Sequence, residues 1–125
     1  MKHILIVDDE HDVEFLFNQK FRHELRNDHV KFHYSFNAKD ALNYIRSMQP
    51  CDISMVLSDI NMPGMTGLEL LGIIKKDFPQ LYVMMITAYG DPNNQRKANE
   101  LGADEFLTKP VNFELLKEKL RLMPD

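Results

Sequence analysis

A single cysteine, Cys51, and no tryptophan occur among the 125 residues of the chain. One thiol cannot close an internal disulfide, so the fold must rest on buried apolar surface, and a reducing compartment fits that composition. A chain of this length buries enough such surface as one domain, residues 1–125, without staples. Glycine and proline are sparse, at five and six residues, and they form no tract that would mark a linker, repeat or low-complexity segment. No apolar run approaches the about 20 residues that a membrane-spanning helix requires. The N-terminal run Ile4-Leu5-Ile6-Val7 is also too short for the core of a signal peptide. The expectation is a cytoplasmic protein with no membrane association. Cations are in deficit, with 15 Lys and Arg against 19 Asp and Glu for a formal net charge of −4. Binding a phosphate backbone needs clustered cations, so no direct nucleic-acid contact is expected. The five histidines (His3, His11, His23, His29 and His33) read as surface or sheet-edge residues; only His29 and His33 are four apart, in a stretch whose alternation is that of a strand and not of a metal-binding helix.

What the chain does contain is a regular alternation of apolar strand-like runs with amphipathic helix-like segments, the pattern of an α/β domain with a mainly parallel sheet. Ile4 to Val7 is continuously apolar, as suits a central strand covered on both faces. Val13, Leu16, Phe17, Phe21 and Leu25 then recur at helical spacing and predict one helix over about residues 11–26. Phe32, Tyr34 and Phe36 alternate with polar residues, which suits an edge strand. Asn37 is placed to cap a second helix that carries Ala38, Ala41, Leu42, Ile45 and Met48 inward and ends near Pro50. A third strand over residues 53–58 leads into a loop containing Pro63 and Gly64, and Thr66 with Glu69 reads as a capping box opening a third helix. A strand over 81–86, a helix over 92–101 opened by Asp91-Pro92 and stopped by Gly102, a strand over 104–108 and a helix capped by Asn112 complete the chain.

Four of these strands end in chemistry. Asp8 and Asp9 follow the first, Asp59 the third, Thr87 the fourth and Lys109 the last. In a parallel sheet such ends share one edge, where ligand crevices form. Any one of these residues is explained by strand-end solvation; the whole set in register is not. Three carboxylates gathered there would repel unless a cation sat among them, and hard oxygens with open positions suit Mg²⁺, with Mn²⁺ as a substitute. Zinc lacks its His or Cys ligands. Asp59, expected at the exposed start of the Pro- and Gly-containing loop, can act as a nucleophile and form an aspartyl phosphate. Lys109, Thr87 and backbone N–H groups would meet the phosphoryl oxygens. Ala88 leaves an entry path, flanked by Asn61 and by the bulkier Tyr89, which is expected to overhang the phosphoryl group and hinder water.

Ile4-Leu5-Ile6-Val7-Asp8-Asp9-Glu10, Val56-Leu57-Ser58-Asp59-Ile60-Asn61-Met62-Pro63-Gly64-Met65-Thr66-Gly67, Ile86-Thr87-Ala88 and Lys109-Pro110 resemble the receiver (CheY-like) domain of two-component response regulators. The resemblance covers the whole chain. It implies a flavodoxin-like three-layer sandwich, a five-stranded parallel sheet in the order 2-1-3-4-5 with five helices; a chemotaxis receiver is a standard illustration of that order. It also implies Asp59 as phosphoacceptor, supplied by a histidine kinase or histidine phosphotransfer protein. Asp9 and Asp59 would bind Mg²⁺ through side chains, Asp8 largely through water and Asn61 through its backbone carbonyl. Lys109 would hold the phosphoryl group beside a cis Lys109–Pro110 bond. Thr87 and Phe106 would form the switch, and the fourth helix, last strand and fifth helix, with Arg96, Lys97, Glu105 and Lys119, would report to an unknown output domain or target protein. Such a domain catalyses its own phosphorylation and slow dephosphorylation without being a multiple-turnover enzyme.

Two other classes compete. A haloacid-dehalogenase-type phosphatase needs its nucleophile on the first strand and a second Asp two residues later, where this chain has Asn61. A pseudo-receiver scaffold usually lacks one of the acids, the threonine or the lysine, and this chain keeps all of them.

Overall fold

Five runs rich in apolar and β-branched residues form strands: β1 (Lys2–Val7), β2 (Val30–Ser35), β3 (Met55–Asp59), β4 (Tyr82–Thr87) and β5 (Glu105–Thr108). The structure is a computed structural model in which residues 1–48, 52–88 and 91–123 are described; Pro50, Cys51 and Tyr89 lie outside them. The helices among the described residues are α1 (Asp12–Lys20), α2 (Arg22–Arg26), α3 (Ala38–Ser47), α4 (Gly67–Asp77), α5 (Pro92–Glu100) and α6 (Phe113–Leu122). All strand pairs are parallel, in the expected order β2-β1-β3-β4-β5.

The sheet separates two apolar layers because successive side chains of a strand point to opposite faces. Leu5, Val7, Val56, Val83 and Met85 meet Ala41, Ile45, Leu70, Leu71, Ile74 and Ala98 from α3, α4 and α5. Ile4, Ile6, Met55, Leu57, Met84 and Ile86 meet Phe17, Phe21, Leu116 and Leu120 on the other side. Helix starts follow the polar residues that satisfy their free N–H groups: Asn37 accepts from Asp40 N, Asp91 from Asn94 N and Asn112 from Leu115 N. Thr66 and Glu69 form the expected capping box at α4. These caps set where each helix leaves its strand, and so fix the loops at the carboxyl edge of the sheet.

The helix expected over residues 11–26 is instead two, α1 and α2, which raises the helix count from five to six. Phe21 bends the chain with φ −108° and ψ 24°, although its N–H still bonds Phe17 O and its own carbonyl accepts from Leu25 N, both at 2.9 Å. Hydrophobic spacing runs unbroken through the bend, which is why periodicity predicts one helix. The bend lets the Phe17 and Phe21 rings stack in parallel while both meet Phe32 and Phe113 edge-on. Leu16 does not join this stripe and is 40% exposed, because one residue before Phe17 it is rotated about 100° around the helix.

β2 is an edge strand as expected, with Phe32 and Tyr34 on the aromatic layer. On its other face His33 sits in a polar chain. Its Nε2 lies 3.2 Å from His3 Nδ1 and its Nδ1 lies 2.8 Å from the Tyr44 hydroxyl. Burial, then the neighbouring His3 and Lys31, push the His33 pKa below its usual value. The native state therefore binds fewer protons than the unfolded chain as pH falls through the ordinary imidazole range, and stability is lost in that direction. Urea unfolding between about pH 7 and pH 5 is expected to show this loss, and His33→Phe is expected to flatten it.

Candidate functional site

Strand register assembles the site. Val7 pairs with Ser58, Asp59 with Ile86 and Thr87 with Thr108. The residues that end or follow β1, β3, β4 and β5 (Asp8, Asp59, Thr87 and Lys109) therefore come out side by side. This is also where strand order reverses, since the chain crosses from β1 outward to β2 and then back to β3.

Asp8, Asp9 and Asp59 each offer a carboxylate oxygen, and these oxygens all lie within 4.8 Å of one another. Two like charges about 4 Å apart repel by about 4 kcal/mol at the effective dielectric near a protein surface. Lys109 offsets part of this: its Nζ donates to Asp59 Oδ2 at 2.9 Å. When ionised, three carboxylates and one ammonium leave two negative charges, which matches one divalent cation. The all-oxygen donor set, with Asp9 the least buried of the three, fits a hard ion such as Mg²⁺.

Burial drives the Asp8 carboxyl above its ordinary pKa; the Glu10 N–H bond to Asp8 Oδ1, at 3.0 Å, pulls it down and the Asp59 charge pushes it up again. For Lys109, burial works against the ammonium. The hydrogen bond to Asp59 and the charges of Asp59, Asp8 and Glu10 outweigh it and hold its pKa above the usual value.

Asp59 is not at the exposed start of a loop. It is the last residue of β3 and 4% exposed, because strand pairing with Ile86 continues one residue past the apolar run. Ser58 donates to its carbonyl at 2.9 Å. Gly67 lies against the same backbone: a Cβ there would stand 2.7 Å from Ile60 Cα and 2.9 Å from the Asp59 carbonyl carbon. This close approach has no spacing signal, and only the residue type hints at it.

Thr87, 1% exposed, turns its hydroxyl to the Ala88 carbonyl at 3.0 Å, while its own carbonyl accepts from Lys109 N at 2.8 Å. Ala88 and Asn61 are exposed. The Lys109–Pro110 bond is cis. Phe106 is half-buried in β5 and packs on the layer of α3, α4 and α5. Arg96 and Lys97 are exposed on α5, and Lys119 of α6 donates to Glu105 at 2.9 Å across the end of β5. The expected fourth helix, last strand and fifth helix are thus α5, β5 and α6.

The geometry has close counterparts. A model of the response regulator receiver domain matches residues 4–121. Sporulation initiation phosphotransferase F of Bacillus subtilis is 30% identical over 118 residues, covering 94% of this chain and 90% of that protein. A cyclic di-GMP phosphodiesterase of Thermotoga maritima is 38% identical over 86 residues, covering 68% of this chain but only 23% of the relative; the chain spans still less of other long relatives, such as 13% of the Pseudomonas aeruginosa response regulator FleR. Among solved structures, the Thermotoga maritima response regulator TrrA in complex with Mg²⁺ and BeF superposes with a TM-score of 0.78 at 33% identity, covering 97% of each chain. The chain belongs to the response regulator receiver domain family.

Proposed function

We propose that Asp59 accepts a phosphoryl group in a Mg²⁺-dependent reaction and that the fold passes this change to the face formed by α5, β5 and α6. The observation that carries the reading is the Lys109 ammonium 2.9 Å from Asp59 Oδ2, beside three carboxylates within 4.8 Å of one another.

The donor is a phosphohistidine on a histidine kinase or histidine phosphotransfer protein. A lone pair of an Asp59 carboxylate oxygen attacks phosphorus; the O–P bond forms as the N–P bond breaks, and the leaving imidazole nitrogen keeps that electron pair. Asp8, Asp9 and Asp59, with the Asn61 backbone carbonyl, are the groups that would hold Mg²⁺. Bound there, the ion supplies charge neutralisation for the phosphoryl oxygens; Mn²⁺ has the same preference for oxygen ligands. Lys109 gives up its bond to the carboxylate for a phosphoryl oxygen, and the Thr87 hydroxyl rotates from the Ala88 carbonyl toward another. That rotation vacates space beside β4 into which Phe106 turns, altering the surface of β5 between α5 and α6. The output domain or target is read at that surface.

Slow loss of phosphate is autodephosphorylation, not turnover of an external substrate. Asp59 ends the third strand and Asn61 stands two residues on, so the acid and base of a haloacid-dehalogenase-type phosphatase are missing from that position. The intact set of acids, threonine and lysine argues equally against a pseudo-receiver.

Incubation with acetyl phosphate tests the reading. Intact-mass analysis is expected to show one added phosphoryl group per chain with Mg²⁺ and none with excess chelator. Equal uptake in both conditions, or none in either, would reject it.

A further inference from the structure

The loop carrying two of the three acids, Asp8-Asp9-Glu10-His11, is held by few contacts. Among the described residues, Asp8 N donates to Ser35 O at 3.1 Å, Glu10 N to the Asp8 carboxylate at 3.0 Å, Val13 N to Glu10 O at 3.2 Å and Glu14 N to His11 O at 3.4 Å. Beyond these, the His11 ring lies on the ring of Phe36 with centroids 3.9 Å apart and planes 12° from parallel. Phe36 directly follows Ser35, so the stack and the Asp8–Ser35 bond tie both ends of the acidic loop to the same point, the end of edge strand β2. His11 itself is exposed at the N-cap of α1 and its side chain caps nothing there. It buries no core surface and makes no helix cap; the stack on Phe36 is the contact that accounts for an aromatic ring at this position.

We infer that His11 and Phe36 form a clamp that positions the acidic loop for the divalent cation. The inference rests on the Mg²⁺ reading above and names residues that reading does not use. Like charges on Asp8, Asp9 and Asp59 push the loop away from β3 when no cation is bound. The stack resists that displacement from the far side of the loop. Loosening it lowers the fraction of molecules in the cation-ready arrangement, and the apparent dissociation constant rises in proportion. A ring pair with one exposed member, His11, and one half-buried, Phe36, can supply about a two- to tenfold effect, and no more is expected.

The experiment is calorimetric titration of the full chain with Mg²⁺ alone, together with urea unfolding in chelator, for wild type, His11→Ala, Phe36→Ala, the double variant and His11→Phe. His11→Ala is expected to weaken Mg²⁺ binding about two- to tenfold while its metal-free stability changes little, because the ring is exposed. The double variant is expected to bind no more weakly than the worse single variant, since one contact is removed either way. His11→Phe, which keeps the stack, is expected to restore wild-type affinity. Phe36→Ala carries the risk of local unfolding, and the inference stands on the His11 variants if it does. Unchanged affinity in His11→Ala, or failure of His11→Phe to restore a loss, overturns the clamp. Absence of Mg²⁺ binding by the wild type overturns the Mg²⁺ reading instead.

Discussion

Asp59→Ala is expected to abolish phosphoryl uptake from acetyl phosphate and, separately, to uncouple the protein from Mg²⁺. The first effect follows from removing the proposed nucleophile, which neighbouring carboxylates are not expected to replace. Lys109 donates to Asp59 alone among the three acids, so the cation that would steady the transferred group is aimed at that side chain. The second effect follows from losing one of the three carboxylates that would hold the ion. It is expected to exceed the about 10–100-fold cost typical of removing an outer-shell partner.

Stability without metal moves the other way. The variant loses the Asp59–Lys109 pair, but the Lys109 side chain is 39% exposed, so solvent leaves that pair worth about 1 kcal/mol or less. It also loses the repulsion that helps raise the Asp8 pKa. Metal-free Asp59→Ala is therefore expected to be at least as stable as wild type in urea. Adding Mg²⁺ should stabilise wild type, by linkage to the folded state, and the variant much less. A variant that is strongly destabilised in chelator would show that Asp59 is held for folding rather than for chemistry.

Gly67→Ala is expected to cost about 2 kcal/mol or more of stability and to impair phosphoryl uptake with it. The position is the first residue of α4, where alanine would ordinarily gain about 1 kcal/mol over glycine. Here that gain is overridden. The added methyl would meet Ile60 Cα at 2.7 Å, the Asp59 carbonyl carbon at 2.9 Å and the Asp59 carbonyl oxygen closer still. These are backbone atoms, which cannot swing aside as the end of a side chain can. Gly67 N also donates to Ile60 O at 2.8 Å, so relief of the clash must pull that bond apart or shift β3, and a shift of β3 moves Asp59. Gly72→Ala in the same helix is the control. Outside its own helix, among the described residues, its Cβ would meet Leu101 Cδ2 at an ordinary 3.7 Å, and it is expected to leave stability unchanged or raise it by about 0.5–1 kcal/mol. Equal tolerance of both substitutions in urea unfolding would contradict the close approach.

The layers and the edge where chemistry gathers were legible in the sequence because each depends on local pattern. Continuous apolar runs specify buried parallel strands, and Asn37, Thr66, Asp91 and Asn112 mark helix starts by hydrogen bonds within three residues. The break at Phe21 was not legible, because the Phe17 and Phe21 rings meet Phe32 and Phe113, residues brought together only by the fold. The burial of Asp59 was missed for a related reason: a carboxylate ending an apolar run reads as a loop residue, while the strand register with β4 keeps it inside the ladder. Gly67 and the His11–Phe36 stack were also out of reach, since neither a backbone approach nor a ring contact leaves a periodic trace. In each case the missing information is where the fold places a second segment.

Which carboxylate carries the phosphoryl group can be read chemically. After reaction with acetyl phosphate and Mg²⁺, borohydride reduces an acyl phosphate to the alcohol and so converts a phosphorylated aspartate to homoserine. Peptide sequencing by mass spectrometry should find homoserine at position 59 and aspartate retained at positions 8 and 9. Homoserine at 8 or 9, or unmodified aspartate at 59 in protein that had gained phosphate, would place the phosphoryl group on a residue other than Asp59.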